Sequence, residues 1–231
     1  MKKTLPLFLI LIATLLSCGQ NVKNSLDNEY FLIGTLSDYM GRETYKTVNG
    51  RVDKYHQSER KLCFAIDSIL KDTYPDLRMT TARNGDFELY SVLLAGEIDK
   101  FYNYLPSGRM NINARLDTMT QFSDSLLSEL LKTADTIYFG RLKSGIFETD
   151  VQKLSFITGA FLRFGRFKHS AYYISVANSV SKVKVLTQLL KEMNCGNVEY
   201  EIWEGIPFGH TVYFTPTDEL MNYFNQYKHL R

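Results

Sequence analysis

FLIGTLSDYMG, residues 31–41, and FITGAFLRFG, residues 156–165, are two short apolar runs with a glycine at the fourth place of each, Gly34 and Gly159. The likeness continues downstream. IDSILKDTYPDLRMTTARNGDFELYSVLLAGEIDKFYNYL follows the first run, and VLTQLLKEMNCGNVEYEIWEGIPFGHTVYFTPTDELMNYF follows the second. In both, a helical pattern ending near Leu70-Lys71 or Leu190-Lys191 leads into two strand-like runs. A closing helix then carries Phe101-Tyr102 or Tyr223-Phe224. Corresponding positions stay 120 to 125 residues apart: Phe31 to Phe156, Leu70 to Leu190, Tyr90 to Tyr213, Phe101 to Phe224. A bounded drift of this kind is what loop insertions leave in a duplicated chain.

Periodicity supplies the elements. In the second copy Val151, Leu154, Ile157, Phe161 and Phe164 share one helical face, and SAYYISVA, residues 170–177, is β-rich. Val183, Leu186, Leu190 and Met193 form another helical stripe, closed by Asn194-Cys195-Gly196 as a turn. Val198, Tyr200 and Ile202 alternate, EGIPFG reads as a hairpin, and HTVYF is a strand. Thr217, with Asp218 and Glu219 behind it, caps the last helix. The predicted order is α-β-α-β-β-α. Residues 106–149 connect the copies, with a helix through Leu116, Met119, Phe122, Leu126, Leu127 and Leu130 and then a hairpin over TIYFGRLKSGIFE.

A glycine-bearing helix followed by strand, helix, two strands and helix, given twice, resembles the LAGLIDADG homing-endonuclease fold. YFLIGTLSDYMG and SFITGAFLRFG carry the likeness, which spans residues 29–105 and 150–231 as two pseudo-repeats of an α+β fold. Ferredoxin-like α+β units are the competing architecture. The resemblance implies that the two motif helices pack at a pseudo-twofold axis, where Gly34 and Gly159 let the backbones approach. It also implies a β saddle of the kind that sits on DNA. Those nucleases place an acidic residue before the glycine that ends each motif helix, and the paired carboxylates hold divalent metals that activate water. Here Met40 precedes Gly41 and Phe164 precedes Gly165. Asp38 lies nearby, but two further helical residues would turn it about 200° from that face. The sequence therefore offers no catalytic residue, metal site or cofactor, and the resemblance implies a pseudoenzyme.

The start of the chain speaks to location. Lys2 and Lys3 precede an apolar run, residues 5–16, that is too short to span a hydrocarbon core needing about 20 helical residues. Charged start, apolar centre and small-residue end form an export signal. Leu15-Leu16-Ser17-Cys18 resembles a bacterial lipoprotein signal, in which Cys18 becomes the acylated (palmitate-type) N-terminus after residues 1–17 are removed. The alternative is ordinary secretion, with Cys18 left in the cut peptide. Residues 18–28 read as a polar tether, and the chain is expected in the cell envelope, anchored on the outer membrane. Without Lys2 and Lys3 the charges balance at 25 basic against 25 acidic residues, unlike the cationic excess of a nucleic-acid binder. Cys63 and Cys195 remain; a disulfide between them is the alternative to a small buried thiol at Cys63, beside Leu62, Ile66 and Ile69.

One stretch is uneven in charge. Residues 151–191 hold no Asp or Glu but seven Lys or Arg, interleaved with Phe and Tyr. Arg163, Arg166, Lys168, His169 and Tyr172 are the candidate contacts for an anionic ligand: a glycan, a lipid headgroup or nucleic acid. Against that, Lys182 and Lys184 are expected on a solvated helix face, and most of the aromatics belong to the core. His56, His169, His210 and His229 are scattered, and Ser123 and Ser125 lack a nucleophile-elbow context. Trp203, beside Glu201 and Glu204, is either a sugar-stacking platform or a half-buried strand residue. The function expected from sequence is a lipid-anchored, non-enzymatic binding module. The alternative is a catalytically inactive nucleic-acid binder descended from a LAGLIDADG nuclease.

Overall fold

The computed structural model describes residues 25–44, 50–111, 135–168 and 171–231. The leader with Cys18, the helix placed over Leu116 to Leu130, and His169 lie outside the described residues. The first copy runs α1 (Asn28–Thr35), β1 (Arg42–Thr44), β2 (Arg51–Tyr55), α2 (Arg60–Leu70), β3 (Arg78–Thr81), β4 (Phe87–Tyr90) and α3 (Val92–Asp99). Strands β5 (Tyr102–Asn111) and β6 (Asp135–Leu142) come next. The second copy runs α4 (Asp150–Phe164), β7 (Gly165–Lys168), β8 (Ala171–Ala177), α5 (Val180–Glu192), β9 (Gly196–Trp203), β10 (Gly209–Thr215) and α6 (Asp218–Tyr227).

Both copies build the same antiparallel sheet. The second has the order β7-β8-β10-β9, and the first has β2-β4-β3, which reproduces its last three strands. The expected single strand after each motif helix is in fact two. In the second copy the extra strand β7 pairs with β8; in the first, β1 leaves its sheet and pairs with β6. Two further expectations change. Phe101-Tyr102 lies beyond the closing helix, with Tyr102 opening β5. TIYFGRLKSGIFE is no hairpin: β6 is its only strand, paired with β5 and β1. The following residues turn inward, where the Tyr30 hydroxyl donates to the Ile146 carbonyl at 2.5 Å and the Phe147 ring meets Tyr30 and Phe156.

Helix starts follow local chemistry. Thr149 and Gln152 form a reciprocal capping box at α4, and the Thr217 hydroxyl accepts from the Leu220 N–H at 3.3 Å at α6. The centre of the molecule is the α1–α4 contact. A Cβ on Gly34 would stand 2.1 Å from the Phe156 carbonyl oxygen, and a Cβ on Gly159 would stand 2.1 Å from that of Phe31. The pairs are reciprocal: each glycine faces the phenylalanine three residues before the other. This is the pseudo-twofold axis, and no side chain larger than hydrogen fits at either position. One continuous core of buried apolar residues surrounds it, drawn from both copies, with its outlying members Leu26 and Leu230 near the ends of the described chain.

Candidate functional site

The carboxyl ends of the paired helices converge on a pole where charge is buried. Helix α1 stops at Thr35, because Leu36 is extended (ψ 141°) and Asp38 has φ 45°. Asp38 is thus in a tight turn and not two residues further along a helix, as the sequence had implied. Its side chain is 2% exposed and lies 3.1 Å from the Lys182 ammonium, which is itself fully buried. The Tyr102 hydroxyl donates to the same carboxylate at 2.8 Å. Lys182 also donates to the carbonyls of Ile33 at 3.0 Å and Gly34 at 3.4 Å, and to that of Leu36.

Arg163 does the corresponding work from α4. Its side chain is 5% exposed, and all five of its N–H donors are used. Nε bonds Glu59 at 3.0 Å; one terminal nitrogen bonds Asp53 at 2.5 Å and the Thr35 carbonyl at 2.6 Å. The other bonds the Lys54 carbonyl at 2.6 Å and Glu59 at 3.2 Å. The guanidinium lies 4.1 Å from the centre of the Tyr55 ring. Together the two cations take the carbonyls of residues 33 to 36, the ones that a helix end leaves without partners.

The electrostatics follow from burial and pairing. Burial pushes the Lys182 ammonium below its ordinary value, and Asp38 opposes that push. Burial also works against the Arg163 guanidinium, but Asp53, Tyr55 and Glu59 outweigh it and hold it above its ordinary value. Asp53 shows the converse: burial raises its carboxyl, yet Arg163 and hydrogen bonds from Lys54 and Ser37 bring it below the usual range. The network crosses between copies. Asp38 stands four residues after Gly34 and Arg163 four after Gly159, so equivalent positions carry opposite charges, each matched by a partner from the other copy.

The resemblance would place divalent metals at this pole, and its residues do not suit one. Each carboxylate is committed to a buried cation or to backbone and hydroxyl donors. Among the described residues no group of three His, Cys, Asp or Glu side chains converges. A cleft of about 290 Å³ opens beside it, lined by Asp38, Arg42, Arg51 and Asp53 among others, but it brings cations along with its carboxylates.

The sequence-derived contacts for an anion scatter. Arg163 belongs to the buried network, and its charge is spent on Asp53 and Glu59. Tyr172 packs in an aromatic cluster with Phe161, Phe167, Phe214 and Phe224. Arg166 is exposed on β7 and Lys168 ends that strand, paired through its backbone with Ala171. Lys184 is solvated as expected, whereas Lys182 is not. The open face of the second sheet carries Arg166 beside Tyr173, which meets Tyr213 at 5.7 Å, but Glu199 and Glu201 follow on β9. Trp203 is 71% exposed. Cys63 and Cys195 are both free thiols.

Missed at the sequence level were Lys182, Asp53, Glu59 and the burial of Asp38. A usable signal existed in the equal offset of Asp38 and Arg163 from their glycines. No family model matches the chain, and no curated protein matches it. Among solved structures it is similar to I-DmoI, a LAGLIDADG homing endonuclease crystallised in complex with DNA and Ca. That similarity has a TM-score of 0.51 at 9% identity and covers 86% of this chain and 87% of that one. The shared property is architecture: this chain has a LAGLIDADG-like α+β fold.

Proposed function

We propose that this protein is a lipid-anchored component of the bacterial envelope that uses a LAGLIDADG-like fold to bind and not to cut. The observation that carries the second half is the pair of buried cations, Arg163 and Lys182, at the pole where cleavage would need metal-binding carboxylates. A metal would have to displace an ammonium or a guanidinium already paired in a low-dielectric site, and removing one member of such a pair costs about 3–5 kcal/mol. The observation behind the first half is Leu15-Leu16-Ser17-Cys18 after a charged start and a short apolar run.

The test is fractionation of the native protein beside Cys18→Ser, with acyl-chain labelling. Label and membrane retention in the native chain, both lost in the variant, support the anchor. A native chain that is unlabelled and cytosolic refutes it. Plasmid DNA incubated with magnesium tests the other half, and cleavage lost in Asp38→Ala would refute it. Nucleic-acid binding is a second reading, favoured by the DNA in the I-DmoI complex and by Arg166 beside Tyr173. Glu199 and Glu201 on the same sheet face weigh against it. Charge reversal at Arg166 and Lys168 discriminates: it weakens polyanion binding without changing melting if this face is used.

A further inference from the structure

A groove of about 1170 Å³ lies between β5–β6, the amino end of α5 and the β9–β10 hairpin, and shares Gly41 with the cleft beside the buried pole. Its chemistry is one-sided. Among the described residues none of its lining side chains is a carboxylate, while Arg141 and Lys184 are both exposed there. Neither is in an ion pair with a carboxylate among the described residues. His210 is buried at the edge of the groove, and its Nδ1 is taken by the Tyr200 hydroxyl at 2.6 Å. Burial holds that imidazole below its ordinary value. Around these polar groups stand Ile202, Phe208, Met40 and Leu105, each about half exposed.

Apolar side chains left in solvent around a cavity mark a ligand site, and a few convergent polar groups set its specificity. The groove holds the amides of Asn178 and Gln188 beside its two exposed cations but, among the described residues, no carboxylate, so its net charge favours an anion over a neutral sugar. We infer that the groove binds an anionic amphiphile with a single acyl chain: the carboxylate or phosphate head lies between Arg141 and Lys184, and the chain lies along Ile202 and Phe208. This deepens the binding-module reading above and rests on it for the source of the ligand, since an anchored protein works beside a bilayer.

The test uses the chain from Gly19 onward, which contains the whole described core, and dansylated undecanoic acid as a fluorescent probe. Saturable fluorescence enhancement is expected, with displacement by oleate and much weaker displacement by oleyl alcohol. Arg141→Glu combined with Lys184→Glu weakens the probe by about tenfold or more, because two attractions become repulsions. Phe208→Ser weakens oleate and oleyl alcohol alike. Both variants melt with the native protein, since all three side chains are solvent-exposed. Absence of saturable binding, equal displacement by the alcohol, or unchanged affinity after double charge reversal each overturns the inference, as does an acidic peptide displacing the probe better than oleate. The anchor fails separately, in the fractionation experiment, and its failure leaves these titrations readable.

Discussion

Replacing Lys182 by methionine isolates the energetics of the pole. The side chains are similar in length, so the change removes charge and donors while keeping most of the volume. What remains is Asp38, 2% exposed and bonded through its carboxylate, among the described residues, to the Tyr102 hydroxyl, together with the carbonyls of Ile33, Gly34 and Leu36 that the ammonium had served. Leaving one member of a buried pair uncompensated costs about 3–5 kcal/mol. A chain of this size loses about 2–4 °C of melting temperature per kcal/mol, so Lys182→Met should melt about 6–20 °C lower. Adding Asp38→Asn removes the stranded charge, and the double variant should regain at least half of that loss. Thermal unfolding followed by far-ultraviolet circular dichroism reads both. A single variant melting within about 2 °C of the native protein would refute the reasoning. So would a double variant showing the plain sum of two independent losses, because residues in direct contact must couple.

Other outcomes follow from the same geometry. Gly34→Ala and Gly159→Ala each drive a methyl against a carbonyl oxygen of the opposite helix and should destabilise by about 3 kcal/mol or more, read in urea titration; a neutral alanine at either site would show that the helices are not in contact. Burial pushes the Cys63 thiol up to about 12, with Asp67 adding to it, so a disulfide-exchange reagent at pH 8 should modify Cys195 long before Cys63; equal rates would contradict the buried position. Tyr55, Tyr102 and Tyr104 are all held above the ordinary phenol value, by burial first, with Asp38 adding at Tyr102 and the hydrogen bond that Tyr104 donates to Asp99 adding at Tyr104. Their folded values are raised, so their stabilisation is complete below the unfolded value of about 10 and is lost as pH rises through it. Stability should fall steeply above about pH 10, and less steeply in Tyr102→Phe; a flat alkaline limb would contradict their burial.

Much of the architecture was legible because it depends on local pattern repeated twice. Gly34 and Gly159 sit at the same place in two apolar runs, and the structure sets each against the phenylalanine that precedes the other by three residues. Helix α2 ends at Leu70 and α5 two residues after Leu190, so the paired boundaries were visible in periodicity. Strand β7 was not, because GRFK reads as a charged loop until β8 is present to pair with it. The detour of β1 to β6 likewise depends on a strand about a hundred residues away. The pole was the least legible part. In the sequence Lys182 alternates with Val183 and Lys184 on an amphipathic helix, where a lysine is ordinarily solvated. Its partner Asp38, 144 residues earlier, and the carbonyls at the end of α1 make burial tolerable, and Arg163 depends in the same way on Asp53 and Glu59. Long-range charge pairing leaves no periodic trace.

Buried cations, Arg163 and Lys182, occupy the pole where the resemblance would place divalent metals. The direct measurement is the melting temperature of the chain from Gly19 onward as calcium is titrated to millimolar concentration. No saturable change is expected. A site filled to a hundred times its dissociation constant would add about 2.7 kcal/mol, or about 5–11 °C in a chain of this size. A saturable rise of that order, abolished in Asp38→Asn, would mean that the pole accepts a divalent ion after all.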